Sequence, residues 1–154
     1  MLDVILKRTM PEPLFVVPLF GAEYVRRIVP LIDAAQEEIM IIIFFWRVGS
    51  TKNPSAIGLF NEAIFKAVAR GVRVRAIVNS EGVKAVLSAR GVETKVLQTS
   101  RLLHTKLLII DRLNIVVGSH NFTEGAFSSN YELSLYLYEQ NADNEFITYF
   151  EHLW

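Results

Sequence analysis

Cysteine is absent from the 154-residue chain. That excludes disulfide staples, thiolate nucleophiles and cysteine-based metal sites, and it leaves the redox compartment open. Histidine is scarce, present only as His104, His120 and His152. The three do not cluster, so no metal site is implied and no cofactor is expected. Long apolar runs are also missing. The longest, Ile39 to Trp46, falls far short of the roughly 18–20 residues that a spanning helix needs. Leu14 to Phe20 follows Lys7 and Arg8 in the manner of a secretory signal, but Pro18 interrupts it. The run reads better as a strand entering a loop, and a cytoplasmic location is expected. No internal repeat and no low-complexity segment is visible.

Net charge is zero, with 16 basic and 16 acidic residues, but the two signs are segregated. From Lys66 to Arg112 ten basic residues meet three acidic ones, a net +7, whereas Glu124 to Glu151 carries six acids and no Lys or Arg. A basic block favours an anionic substrate; solvated helix faces are the plainer account of several of these charges.

Hydrophobic residues make up 51% of the chain, and the mean hydropathy is +0.30. That is rich for a single domain of this length and fits a sheet covered on both faces, with a subunit interface as a further sink. Periodicity divides the chain into alternating strands and helices. Val4 to Leu6 reads as a short edge strand, and Phe15 to Val17 as the first core strand. Gly21 to Ala35 has helical spacing, with Pro30 expected to kink it or to start a second segment. Glu38 to Trp46 reads as a buried central strand and Arg47 to Pro54 as a loop. Ser55 caps a helix running to Arg70, and Val72 to Val78 is a strand. Ser80 opens a short helix that ends at Gly91, and Val92 to Leu97 follows as a strand. A hairpin comes next, then a strand over Glu132 to Tyr138, then a last helix capped by Asn141. This order predicts an α/β fold: a mixed, mostly parallel sheet covered by helices on both faces.

The hairpin holds the chemistry. His104 to Asp111 and Arg112 to Val117 form two short apolar strands around a turn at Asp111 to Asn114, followed by Gly118-Ser119-His120-Asn121. Side chains alternate along a strand, so His104 and Lys106 face one way and Thr105, Leu107, Ile109 and Asp111 the other. Ser119 and Asn121 share a face if the second strand stays extended. An imidazole, an ammonium, a hydroxyl and a carboxamide can then converge on a tetrahedral anion. His120 points away from that set and reads as a packed or surface histidine; His152 reads as surface. Phe44, Phe45 and Trp46 read first as core, with Trp46 and Arg47 as possible substrate-lining residues at the site mouth.

The pattern His-x-Lys-x4-Asp-x6-Gly-Ser-x-Asn, filled by His104, Lys106, Asp111, Gly118, Ser119 and Asn121, resembles the HKD motif of the phospholipase D superfamily. Asn130-Tyr131-Glu132 is similar to that family's Asn-x-Glu segment. The resemblance runs from about Phe15 to Tyr138 and implies one phospholipase D-like domain over residues 1–154. It implies that His104 is the nucleophile, through a phosphohistidine intermediate. Lys106, Asn121 and Ser119 would hold phosphate oxygens, and Glu132 would orient the His104 ring. Asp111 faces away from His104 and is expected to be a structural hydrogen-bonding residue at the turn. Gly118 is expected to permit close backbone approach.

One imidazole cannot stand on both sides of a phosphorus atom, and the chain holds one motif. Short members of the superfamily pair two copies, so a twofold homodimer with a composite site is implied. The size and motif count are similar to the single-motif endonucleases, which makes DNA or RNA the first expected substrate. A phospholipid hydrolase or phosphatidyltransferase is the alternative, and a catalytically idle nucleic-acid-binding dimer is a third reading.

Overall fold

The computed structural model describes residues 15–49 and 55–154. The expected strand over Val4 to Leu6 lies outside them, as does part of the loop over Arg47 to Pro54. Seven strands form one sheet: β1 (Phe15–Phe20), β2 (Glu38–Ile43), β3 (Arg73–Val78), β4 (Glu93–Val96), β5 (Lys106–Ile110), β6 (Asn114–Gly118) and β7 (Leu133–Tyr138). Their spatial order is β1-β7-β6-β5-β2-β3-β4. The helices are α1 (Glu23–Ala34), α2 (Ala56–Ala69), α3 (Glu81–Ser88), α4 (Glu124–Ser128) and α5 (Glu145–Leu153).

The sheet is mixed, as the alternation of elements predicts, but the expectation of mostly parallel pairing needs correction. Only β2–β3 and β3–β4 pair in parallel; β1–β7, β7–β6, β6–β5 and β5–β2 are antiparallel. Two strands, β5 and β7, run against the other five, and each lies between neighbours of the opposite sense. Of these four antiparallel pairs only β5–β6 is closed by a tight turn; β6–β7 is joined through α4, and the other two bring together strands distant in the chain.

Two apolar layers sandwich the sheet. On one face Ile39, Ile41, Ile43, Val74, Leu108, Ile110 and Val116 pack against Ile28 and Ile32 of α1, Phe60 and Ile64 of α2, and Phe127 of α4. On the other, Met40, Ile42, Leu107, Ile109, Ile115 and Leu137 pack against Ile147 and Phe150 of α5. Strand β2 feeds both layers, which accounts for its unbroken run of apolar residues.

Local signals fix most boundaries. The hydroxyls of Ser55 and Ser80 accept from the amides of Gly58 and Val83 and cap α2 and α3. Gly71 and Gly91 follow the two helices with positive φ of 94° and 83°. Pro30 neither breaks α1 nor starts a second segment. It sits on the solvent face, where water can satisfy the carbonyl freed one turn earlier. The last helix is capped by Asn144 and not Asn141: the Asn144 Oδ1 accepts from the amides of Phe146 and Ile147. Asn141 instead accepts from the Asp143 amide within the preceding loop.

The hairpin turn uses left-handed backbone at Asp111 (φ 48°) and Arg112 (φ 64°). Aspartate tolerates that region better than most residues. Its carboxylate reaches across to the start of β2, where Oδ2 accepts from the Gln36 amide at 2.9 Å. Oδ1 accepts from the Glu37 and Glu38 amides at 2.9 and 3.1 Å. Asp111 is thus the structural residue that its facing predicts, and no part of it turns toward His104. Asp111→Ala should cost about 2–3 kcal/mol, read as a lower urea midpoint with an unchanged m-value.

Candidate active site

The ends of β1, β2 and β6 and the beginnings of β5 and β7 all lie at one edge of the sheet, because Ile43 pairs with Lys106, Gly118 with Ser134 and Phe20 with Leu133. His104 lies two residues before Lys106, Ser119 and Asn121 just past Gly118, and Glu132 just ahead of Leu133. The residues singled out in the sequence therefore meet along this edge.

His104 is exposed, and its ring packs against Phe44 with centroids 4.8 Å apart. The Lys106 Nζ donates to the His104 carbonyl at 2.8 Å and lies 3.3 Å from each of the two ring nitrogens. The same ammonium stands 5.1 Å from the centre of the Phe44 ring. Partial burial holds Lys106 below the ordinary lysine pKa, and the nearby Glu132 charge works in the opposite sense. Phe44, read first as core, is thus a shared platform for the imidazole and the ammonium. Its signal was its place at the end of the strand facing the motif.

Asn121 Oδ1 accepts from the Phe45 amide at 3.2 Å, which leaves its NH2 group to donate to a ligand. The bond also ties the end of β2 to the motif, beside reciprocal backbone bonds between Phe122 and both Phe45 and Arg47. Glu132 is held by residues of its own neighbourhood. Its carboxylate accepts from the Ser119 hydroxyl and from Asn130 Nδ2 at 3.2 Å, and among the described residues it makes no bond to His104. Ser119 is committed too: it donates to Glu132 and accepts from the Leu133 amide at 3.1 Å. A phosphate cannot use the Ser119 proton without displacing that carboxylate, so the residue acts as a strut.

Gly118 has the role its position predicts. A Cβ there would fall 2.4 Å from Ser134 Cα and 2.5 Å from the Leu133 carbonyl oxygen. Ser134 comes close because its Oγ lies 2.8 Å from His120 Nδ1. His120 is 1% exposed, and its Nε2 lies 3.1 Å from the Gly21 carbonyl oxygen. A carbonyl only accepts, so Nε2 carries the proton and Nδ1 of the neutral ring accepts from Ser134. His120 is a packed histidine, and His152 is exposed on α5.

Trp46 is not a lining residue. It is 2% exposed, and its indole donates to Asn61 Oδ1 at 2.8 Å. An isolated parallel bridge to Phe122 turns it inward. Arg47 beside it is exposed.

The basic block proves not to be a patch. Lys66, Arg73, Arg75, Lys84 and Arg112 are paired with Glu62, Glu93, Glu38 or Glu151, Glu81, and Glu38 or Asp143. Arg70 and Lys95 donate to main-chain carbonyls, and Arg90 lies over the Phe65 ring. Ion pairs, main-chain acceptors and ring contacts account for most of these charges; only Lys66 and Lys84 lie within helices, so solvated helix faces account for few.

An α/β domain with an exposed histidine and a neighbouring lysine at the end of a mixed sheet defines the class. Residues 28–154 match the family model described as "Cardiolipin synthase, PLD-like domain", and the chain belongs to this phospholipase D-like family. It is 26% identical over 95 residues to the protein named phospholipase D of Rickettsia conorii, covering 58% of this chain and 48% of that one. It is 32% identical over 125 residues to phospholipase D Y of Dictyostelium discoideum, covering 70% and 28%. The chain thus spans about half or less of the curated relatives it matches. In fold it is similar to Nuc of Salmonella typhimurium, a phospholipase D family member, with a TM-score of 0.73, 20% identity, and coverage of 92% and 95%.

Burial depresses the His120 pKa, while its bond to Gly21 and the charge of Glu132 oppose the shift. The neutral ring therefore stabilises the fold fully above the unfolded histidine pKa of about 6.5. That contribution is lost as pH falls through the lower folded value. Denaturant midpoints measured from pH 7.5 to 5 should decline, and His120→Gln should start from lower stability with that part of the slope removed.

Proposed function

We propose that the domain is a metal-independent phosphodiesterase, with nucleic acid as the first substrate class, and that its working site is shared by two copies of the chain. The observation that carries the reading is the grouping of His104, Lys106 and Asn121 at one sheet edge. The imidazole is open to solvent, and the ammonium lies 3.3 Å from its nitrogens.

The neutral His104 ring attacks phosphorus, a nitrogen–phosphorus bond forms, and the bond to the leaving oxygen breaks. The leaving oxygen takes a proton from His104 of the second copy. That imidazole then removes a proton from water, whose oxygen attacks phosphorus and releases the first ring. Lys106 and the Asn121 amide hold the non-bridging oxygens as charge develops on them. Glu132, held by Ser119 and Asn130 in its own chain, is set to orient an imidazole across the interface.

Two features support pairing. Of the other two imidazoles in the chain, His120 is buried against Ser134 and Gly21, and His152 lies on α5, which packs on the sheet face opposite to the one His104 shares with Lys106. Next to the site, Val16, Phe20, Leu133 and Leu135 are exposed on the sheet face that carries Leu137. Helix α5 does not cover this apolar strip, which makes it a natural seat for a second copy.

A phospholipid substrate is the second reading. The relatives' printed names favour it, as do the exposed Phe45 and Leu102 flanking the site.

In solution the chain should run at twice its 17.5 kDa mass. His104→Ala should lower kcat on bis-nitrophenyl phosphate by at least about a thousandfold without changing that mass. Activity should persist in EDTA; its loss there and return with a divalent ion would refute the metal-independent mechanism. Plasmid nicking without headgroup release from phosphatidylcholine vesicles supports nucleic acid, and the reverse supports lipid. Substrate retention by an inactive wild type would identify a binding module.

The charged ammonium is the form that holds phosphate, and its pKa is lowered by burial. The alkaline limb of kcat/KM should therefore begin below the ordinary lysine value of about 10.4. Lys106→Arg should extend the plateau upward while reducing its height.

A further inference from the structure

Among the ten cations between Lys66 and Arg112, one has a side chain with no protein partner among the described residues: Arg101. The others are spent on carboxylates, carbonyls or aromatic rings. Arg101 lines a groove of about 430 Å³ between the β4–β5 connection and α5, together with Leu97, Leu102, Leu103, Tyr149 and His152. Thr105 also borders it, and the Thr105 hydroxyl lies 3.2 Å from the Tyr149 phenol.

The groove and the nucleophile are two sides of the same few residues. His104 and Lys106 belong to one face of the extended chain, Leu103 and Thr105 to the other. Consecutive Cα atoms are about 3.8 Å apart, so the groove wall begins one residue along the chain from His104, on the other face of the segment. Its chemistry is divided. Leu97, Leu103 and Leu153 give an apolar floor, with the phenol of Tyr149 and the imidazole of His152 along one side and a solvated guanidinium at the rim. That combination suits a group with a flat or apolar body and a phosphate attached.

We propose that this groove is a subsite for the nucleotide flanking the scissile phosphodiester, with Arg101 on the neighbouring phosphate and the Leu–Tyr wall against its base. The proposal rests on the phosphodiesterase reading and adds a preference for substrates extended beyond one phosphate.

The test compares kcat/KM for a short single-stranded oligonucleotide with that for bis-nitrophenyl phosphate, which has no flanking phosphate. For Arg101→Ala the ratio of the two should fall about tenfold, Arg101→Lys should restore most of it, and Leu102→Ala should lower it less. The salt dependence on the oligonucleotide should flatten by about one phosphate contact. The Arg101 side chain is solvated, so the variant should keep its Tm. An unchanged ratio in a folded Arg101→Ala protein overturns the subsite and leaves the phosphodiesterase reading intact. Cleavage of phosphatidylcholine vesicles with no oligonucleotide cleavage overturns the nucleotide assignment. A wild type that cleaves neither diester overturns the reading beneath it.

Discussion

Strand β2 is fastened to the motif hairpin at both ends, and the geometry of the edge depends on that double attachment. At its start, three successive amides donate to the Asp111 carboxylate. At its far end, the Phe45 amide donates to Asn121. Between these points β2 and β5 pair antiparallel from Ile39–Ile110 to Ile43–Lys106. A slip of one residue would exchange the two faces of β5 and move Lys106 from the site into an apolar layer. Two letters of the motif thus hold the register that brings the other two, His104 and Lys106, together at the end of the sheet. The demands are compatible because Asp111 and Asn121 sit at opposite ends of the sheet.

Charge in this molecule is mostly architecture. Arg75 is 4% exposed and bonds to Glu38 and Glu151 beneath the rings of Phe150 and Trp154. Arg112 joins the same cluster through Glu38 and Asp143. These pairs fasten α5 to the sheet, and a buried ion pair broken on one side leaves an uncompensated charge. What remains of the Lys66 to Arg112 block for an anion is Lys106 beside His104 and the solvated Arg101. A local count of basic residues overstated the field because it ignored the acids that come from distant parts of the chain.

That contrast marks what the sequence makes legible. Alternation along β5 was enough to place His104 and Lys106 together and Asp111 apart, since a period of two survives any tertiary detail. Gly118 and the caps at Ser55 and Ser80 follow from equally local geometry. Partners across the sheet were not legible. Nothing near Glu132 says that Ser119 and Asn130 claim its oxygens, and nothing near Trp46 says that Asn61 draws its indole inward. The hairpin sense of β5 and β6 was legible, but the antiparallel pairing of β5 with β2 and of β7 with β1 and β6 was not, because strand order is decided by which apolar faces fit together. The Asn144 cap was missed because two asparagines three residues apart are equivalent until the loop's own hydrogen bonds distinguish them.

The arrangement around Glu132 bears on the proposed pairing of two chains. A carboxylate that accepts from a serine and an asparagine is fixed in position, and neither bond neutralises its charge. It stands near an ammonium whose burial already disfavours the charged form, and it offsets part of that penalty. The edge therefore holds a positioned anion, a cation and an exposed imidazole, and the imidazole of His120 is locked as a neutral acceptor toward Ser134. The proposed hydrolysis of a diester needs a proton delivered opposite the attacking nitrogen; His120 is locked away from that place, and His152 sits in the groove on the other sheet face. The bare strip formed by Val16, Phe20, Leu133 and Leu135 begins beside Glu132. A copy seated on that strip, as proposed above, would approach the same end of the sheet as His104, Lys106 and Glu132.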